Sequence, residues 1–132
     1  MLPINCFYYT ILILNKQQKF SEVNNLIQKE FNFSDGDSKL IEKIISDGNV
    51  DLNHMIFPKG EGLPVHNANS NVYMIVLRGT LTITLGNQEP YKYNSGKILN
   101  IPYSTKMDVR NEDDEVLEIF VVKAPSPFNY KE

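Results

Sequence analysis

Two histidines, His54 and His66, are the only imidazoles in this chain of 132 residues, and Cys6 is its only thiol. Imidazole titrates near neutral pH and ligates borderline metals, so acid–base or metal chemistry would start from these side chains. A catalytic zinc or iron site usually takes three protein ligands. A His54–His66 pair would therefore hold a divalent ion only weakly. Met74 and Met107 could join His66 around soft Cu(I), although methionine on a strand is more often core filling. Tyr73, Tyr91, Tyr93 and Tyr103 offer phenolic acids, and aromatic residues are also what half-buried strands favour. The run Asn67-Ala68-Asn69-Ser70-Asn71 supplies amide donors and acceptors where a ligand would enter, and suits a turn equally well on local grounds.

Strands must position these groups. From Lys39 the sequence alternates short runs of β-formers with turn residues: Lys39–Ser46 and Asn49–Phe57 flank Asp47-Gly48, which reads as a tight two-residue hairpin. Val72–Leu77 and Thr80–Leu85 flank Arg78-Gly79 and read as a second hairpin, followed by Tyr91–Tyr93, Lys97–Ile101, Lys106–Asn111 and Glu115–Val122. Strands about every ten residues indicate a sandwich or barrel. Ahead of them, Ser21 can cap a short helix whose Val23, Leu26, Ile27 and Phe31 share one face. The apolar stretch Cys6–Leu14 reads as a further strand. No Lys or Arg precedes it, no small-residue cleavage site follows, and it is well short of the roughly 20 residues of a membrane helix. The expected organisation is an N-terminal strand-and-helix extension over 1–37, a barrel over 38–124 and a tail over 125–132.

Two stretches of fixed spacing resemble the cupin superfamily. The first is Gly60, five residues, His66-Asn67-Ala68, three residues, Val72, six residues, Gly79. The second is Gly96, five residues, Pro102-Tyr103-Ser104, two residues, Met107, three residues, Asn111. The resemblance covers about Lys39 to Ala124. It implies an all-β fold, a cupin-type double-stranded β-helix or jelly-roll barrel, carrying here the N-terminal strand and one short helix. It also implies that His66, Ala68, Val72 and Met107 occupy the positions from which metal-binding members aim ligands into the barrel. Only one of the four is a borderline ligand, so no resident metal is expected. With Val72 inward, strand alternation also turns Met74, Val76 and Val109 inward. The lumen then becomes an apolar pocket anchored by His66, with His54 a further lumen candidate because Val50, Leu52, His54 and Ile56 share the more apolar face of their strand.

Composition narrows the functions. The net charge is −3 and Arg78 and Arg110 are the only arginines, so no basic face awaits nucleic acid. A single cysteine permits neither an intrachain disulfide nor a thiolate cluster, which suits a reducing, cytoplasmic setting. The last strand is apolar on both faces apart from Glu118, consistent with a sheet covered by a partner and hence a homodimer. The leading expectation is a small-molecule-binding protein that uses no metal. A metal-free isomerase or epimerase with His66 as base is the alternative, and a divergent metal-dependent enzyme the third.

Overall fold

The computed structural model describes residues 25–129, and among them all regular structure except one closing 3-10 turn is β. In chain order the strands are β1 (Leu40–Ser46), β2 (Asp51–Phe57), β3 (His66–Asn67), β4 (Val72–Arg78), β5 (Thr80–Leu85), β6 (Tyr91–Asn94), β7 (Ile98–Ile101), β8 (Lys106–Arg110) and β9 (Leu117–Lys123). They form two antiparallel sheets, ordered β1-β2-β9-β4-β7 and β3-β8-β5-β6. One hydrophobic cluster draws on both: Phe57, Met74, Ile119 and Val121 from the first sheet meet Leu81, Ile83, Met107 and Val109 from the second. Each such side chain contributes roughly 1.5–3 kcal/mol when fully buried, which makes this shared inner face the main support of the fold.

The period of two assigns every strand residue a side. In β9, Leu117, Ile119 and Val121 belong to the core while Glu118 and Phe120 between them do not. β9 pairs with β2 in continuous register from Asp51↔Lys123 to Phe57↔Leu117 and with β4 from Val72↔Lys123 onward, so the inner and outer faces are locked across three strands.

The two hairpins differ from expectation. β1 and β2 do pair, but through the four residues Asp47–Val50, where the Asp47 carboxylate accepts from the Asn49 and Val50 amides. β4 and β5 do not pair: β4 lies between β7 and β9, and β5 between β6 and β8. Gly79, with φ of 80°, turns the chain from one sheet to the other against β9, where an added Cβ would strike the Val116 carbonyl and come within 2.9 Å of the Leu117 Cα. That is a corner, and a tight hairpin turn would have kept the chain in one sheet.

The expected N-terminal strand lies outside the described residues. The latter half of the expected helix is described and is not helical: residues 25–33 form a turn, bends and extended chain, with Ile27 99% exposed. Its apolar spacing finds no surface to bury, and helices this short gain their stability from such packing. The chain divides into two units, Met1–Glu30 and Phe31–Glu132. Within the second, the segment before β1 is tied to the barrel by the Ser34 amide and hydroxyl donating to Glu42 and by Arg78 donating to Asp37 and to the Gly36 carbonyl. The tail is tied as well, through Ser126 donating to Asp51 and Asn129 to the Gly48 carbonyl.

Gly79 and Gly96 therefore predict different costs. Both have positive φ, 80° and 93°, but Gly96 has open space where a Cβ would go. Gly96→Ala should lower unfolding free energy by about 1 kcal/mol, the strain alone, whereas Gly79→Ala adds a backbone collision and should cost at least about twice as much, read from urea denaturation.

Candidate functional site

β3 is only two residues long and pairs on one side, His66 opposite Met107. It sits at the edge of its sheet, so His66 stands at the rim instead of beneath the opposing sheet. Opposite Met107 it shares the inward face, yet the residue is exposed, so it stands at the open margin of the barrel and not in its buried interior. The ring is nevertheless oriented, with Nδ1 2.9 Å from the Pro64 carbonyl. A carbonyl can only accept, so Nδ1 carries the proton, and in the neutral ring Nε2 keeps its lone pair. His66, Met55, Leu63 and Pro64 line a pocket of ≈ 280 Å³ with apolar walls and that single polar group. A second hollow of ≈ 350 Å³, bounded by Leu85, Gly86, Asn87, Gln88, Pro102 and Thr105, contains no titratable side chain.

The other lumen candidates are brought together as core. Ala68, Val72, Met74, Val76, Met107 and Val109 lie in one cluster, none more than 3% exposed. They belong to the apolar cluster that both sheets contribute to. The asparagine run is partly structural: the Ala68 amide and carbonyl bond to Thr105 and Ser104, and Asn100 donates to the Asn71 side chain, while Asn67 and Asn69 remain exposed.

His54 is fully buried but on the other side of the sheet, which removes it from the lumen and separates it from His66. It shares the outer face with Glu42, Glu118 and Phe120, beneath Phe33, whose ring centroid is 5.0 Å from its own. Nδ1 is 2.8 Å from Glu42 and Nε2 2.6 Å from Glu118. Each ring nitrogen thus faces a carboxylate oxygen, and a protonated nitrogen donates to the oxygen opposite it. Arg78 donates to Glu118 at 3.1 Å and extends the network. The Ser34 amide holds the Glu42 carboxyl below its ordinary value, with His54 and the Ser34 hydroxyl acting the same way against desolvation. Sequence reasoning missed this cluster, although Glu118 as the one charge in an apolar strand was its visible sign.

A metal suits this donor set poorly. At the ligand positions of metal-binding cupins this chain offers one rim imidazole and the thioether of Met107, with Ala68 and Val72 supplying nothing. Among the described residues no group of three His, Cys, Asp or Glu converges as a metal site.

Comparison with known proteins agrees with the strand order and glycine frame. The profile described as "Cupin domain" matches residues 53–123. The chain belongs to the cupin family. It is 41% identical over 103 residues to an uncharacterized protein of Methanocaldococcus jannaschii, covering 77% of this chain and 89% of that one. The crystal structure of an RmlC-like cupin family protein with a double-stranded β-helix fold, also from M. jannaschii, superposes with a TM-score of 0.76 at 40% identity, covering 79% and 96% of the two chains. A cupin-like protein of Thermotoga maritima matches at a TM-score of 0.62 and 16% identity over 76% and 82%, a likeness of fold alone. No helix among the described residues is long and apolar enough to cross a membrane.

The His54 cluster predicts a stability effect distinct from any binding effect. His54→Leu removes the imidazole that joins Glu42 to Glu118, which keep Ser34 and Arg78 as partners, and should cost about 1–3 kcal/mol in urea unfolding at pH 7. Asp51 is also held below its ordinary value, where burial opposes and hydrogen bonds from Ser46 and Ser126, together with Lys43, prevail. Folded carboxyls with depressed pKa contribute fully above the ordinary carboxylate range and lose that contribution as pH falls through their folded values. Unfolding free energy should therefore hold between about pH 7 and 5 and fall below about pH 4.

Proposed function

We propose that this cupin is a small-molecule-binding protein that works without a resident transition metal, as a homodimer in a reducing, cytoplasmic setting, and recognises no nucleic acid. The observation that carries this reading is the apolar pocket at the barrel rim, closed on one side by His66 with Nε2 unengaged. Apolar walls with one or two polar anchors are the ordinary construction of a small-ligand site. His66 Nε2 would accept a hydrogen bond from the ligand while Met55, Leu63 and Pro64 exclude water from its body. The pocket borders the exposed His66 of the edge strand β3, which supports a ligand held at the rim.

The same free lone pair supports a second reading, a metal-free isomerase or epimerase with His66 as general base. An acid partner is needed on the opposite side of the substrate, and no tyrosine is among the residues lining the pocket. Binding without turnover is therefore the better supported. The divergent metal-dependent enzyme finds the least support, because its carboxylate position is Val72.

The dimer reading rests on the outer face of the five-stranded sheet. Tyr73 is 41%, Leu77 42% and Ile98 64% exposed, and Ile75 is opposite both Ile98 and Phe120. An apolar sheet surface left open to water invites association.

Three measurements bear on these points. Elemental analysis after dialysis should find well under one transition-metal ion per chain, and a ratio near one that His66→Ala abolishes would overturn the metal-free reading. Native mass spectrometry should find a co-purifying metabolite that His66→Leu loses without a change in thermal midpoint; retention of the metabolite by that variant would overturn the His66 anchor. Light scattering should show a dimer that Ile98→Lys converts to monomer, while a monomeric parent chain would overturn the assembly.

A further inference from the structure

Beyond the His66 pocket, the inner face of the five-stranded sheet ends in a polar group for which the core has no use. The register places Lys43 opposite Asn53 across β1 and β2, and Asp51 opposite Lys123 across β2 and β9. Asn53 and Lys123 have the strand parity of Met55 and Val121, which face the core, so all four side chains lie on the inward side at one end of the sheet. Directly opposed residues have Cβ atoms about 5 Å apart and diagonal ones about 7–8 Å, close enough to grip one small molecule.

Asp51 is already satisfied. It is buried, accepts from Ser46 at 2.8 Å and Ser126 at 2.9 Å on one oxygen, and pairs with Lys43 at 3.5 Å on the other. The remaining two groups are not. Asn53 is 9% exposed, and its Oδ1 is buried with no hydrogen-bond partner. Buried amides in native proteins nearly always have a partner, so an orphan marks a place where something else supplies one. Lys123 is half-buried, and burial pulls its ammonium below the ordinary lysine value, with the charge of Asp51 opposing. It forms no ion pair among the described residues. Two ammonium groups therefore face one carboxylate at this spot, leaving a local positive charge on a chain whose net charge is −3.

We propose that Lys43, Asn53 and Lys123 form a carboxylate-binding site for a small hydroxy acid. The ligand carboxylate lies between the two ammonium groups and its hydroxyl donates to Asn53 Oδ1. Each unsatisfied group gains a partner of the right kind: charge for Lys123, a donor for Asn53. A carboxylate without a hydroxyl leaves Asn53 orphaned, and a hydroxyamide leaves the charge unbalanced, so the site selects for both functions together. The site does not depend on His66.

The test is a titration of the isotope-labelled full chain, followed by amide NMR shifts, with three probes of nearly equal size: lactate, propionate and lactamide. Lactate should bind saturably, shift the amides around Asn53, Val121 and Lys123, and bind at least about ten-fold more tightly than the other two, the factor expected from one hydrogen bond or one charge contact at a partly open site. Lys123→Met keeps the aliphatic stem and should weaken lactate about ten-fold or more. Asn53→Leu should remove the preference for lactate over propionate, with Asn53→Ala as the alternative if Leu disturbs folding. His66→Leu should leave lactate affinity unchanged, so failure here is distinguishable from failure of the rim pocket. Equal responses to the three probes, or parental lactate affinity in Lys123→Met, would overturn the proposal.

Discussion

The antiparallel register of β9 between β2 and β4 is the constraint on which the rest of this structure depends. Because side chains alternate with a strict period of two, the pairings Met55↔Ile119 and Met74↔Val121 commit three strands at once to a common inner face. A slip of one residue on β9 would carry Ile119 and Val121 out to the His54 side and drive Glu118 into the core. The same register sets the position of each functional candidate: Asn53 and Lys123 inward, His54 and Glu118 outward.

The outer face follows from that commitment. Once Glu118 is outward it meets His54 from β2, and Glu42 reaches the same ring from β1. The imidazole is fully buried, so its ring nitrogens need partners, and the two carboxylates supply them. Phe33 packs edge-on against the imidazole and Phe120 lies tilted beside it, raising the strength of each hydrogen bond by excluding water and raising the cost of losing one by the same means. Ser34 and Arg78 then fasten the segment before β1 to this cluster, so a polar network explains why an extended segment with few buried side chains keeps its place.

Much of this was legible from the residues. The strand boundaries from Leu40 to Lys123, the all-β class and the cupin frame follow from alternation and from glycines at fixed spacing, which are local signals. Partnership between strands is not local. Val72–Leu77 and Thr80–Leu85 have the look of a hairpin because only the fold reveals that Gly79 turns between sheets against Val116. The helix expected near Leu26 and Ile27 carries the right spacing, yet periodicity states which face would be buried and not whether any surface exists to receive it. His66 was recognisable as the one conventional ligand in the frame, but its depth depends on β3 being a two-residue edge strand. His54 sat on the face of β2 that looked apolar, and its partners lie 12 and 64 residues away, beyond any pattern in a single strand.

The substitutions at the ligand positions of metal-binding cupins are coherent as packing. A metal centre requires polar donors aimed at a common hollow point, and a hollow in a small barrel costs stability in proportion to the space left empty. Ala68, Val72 and Met107 reverse that requirement: none brings a charge that must be paired, and all three lie in the apolar cluster shared by both sheets. With apolar side chains at these positions, the polar groups open to a ligand lie toward the margins. That is where His66 Nε2 and the Asn53 amide lie, one on the rim of the second sheet and the other at the inner end of the first.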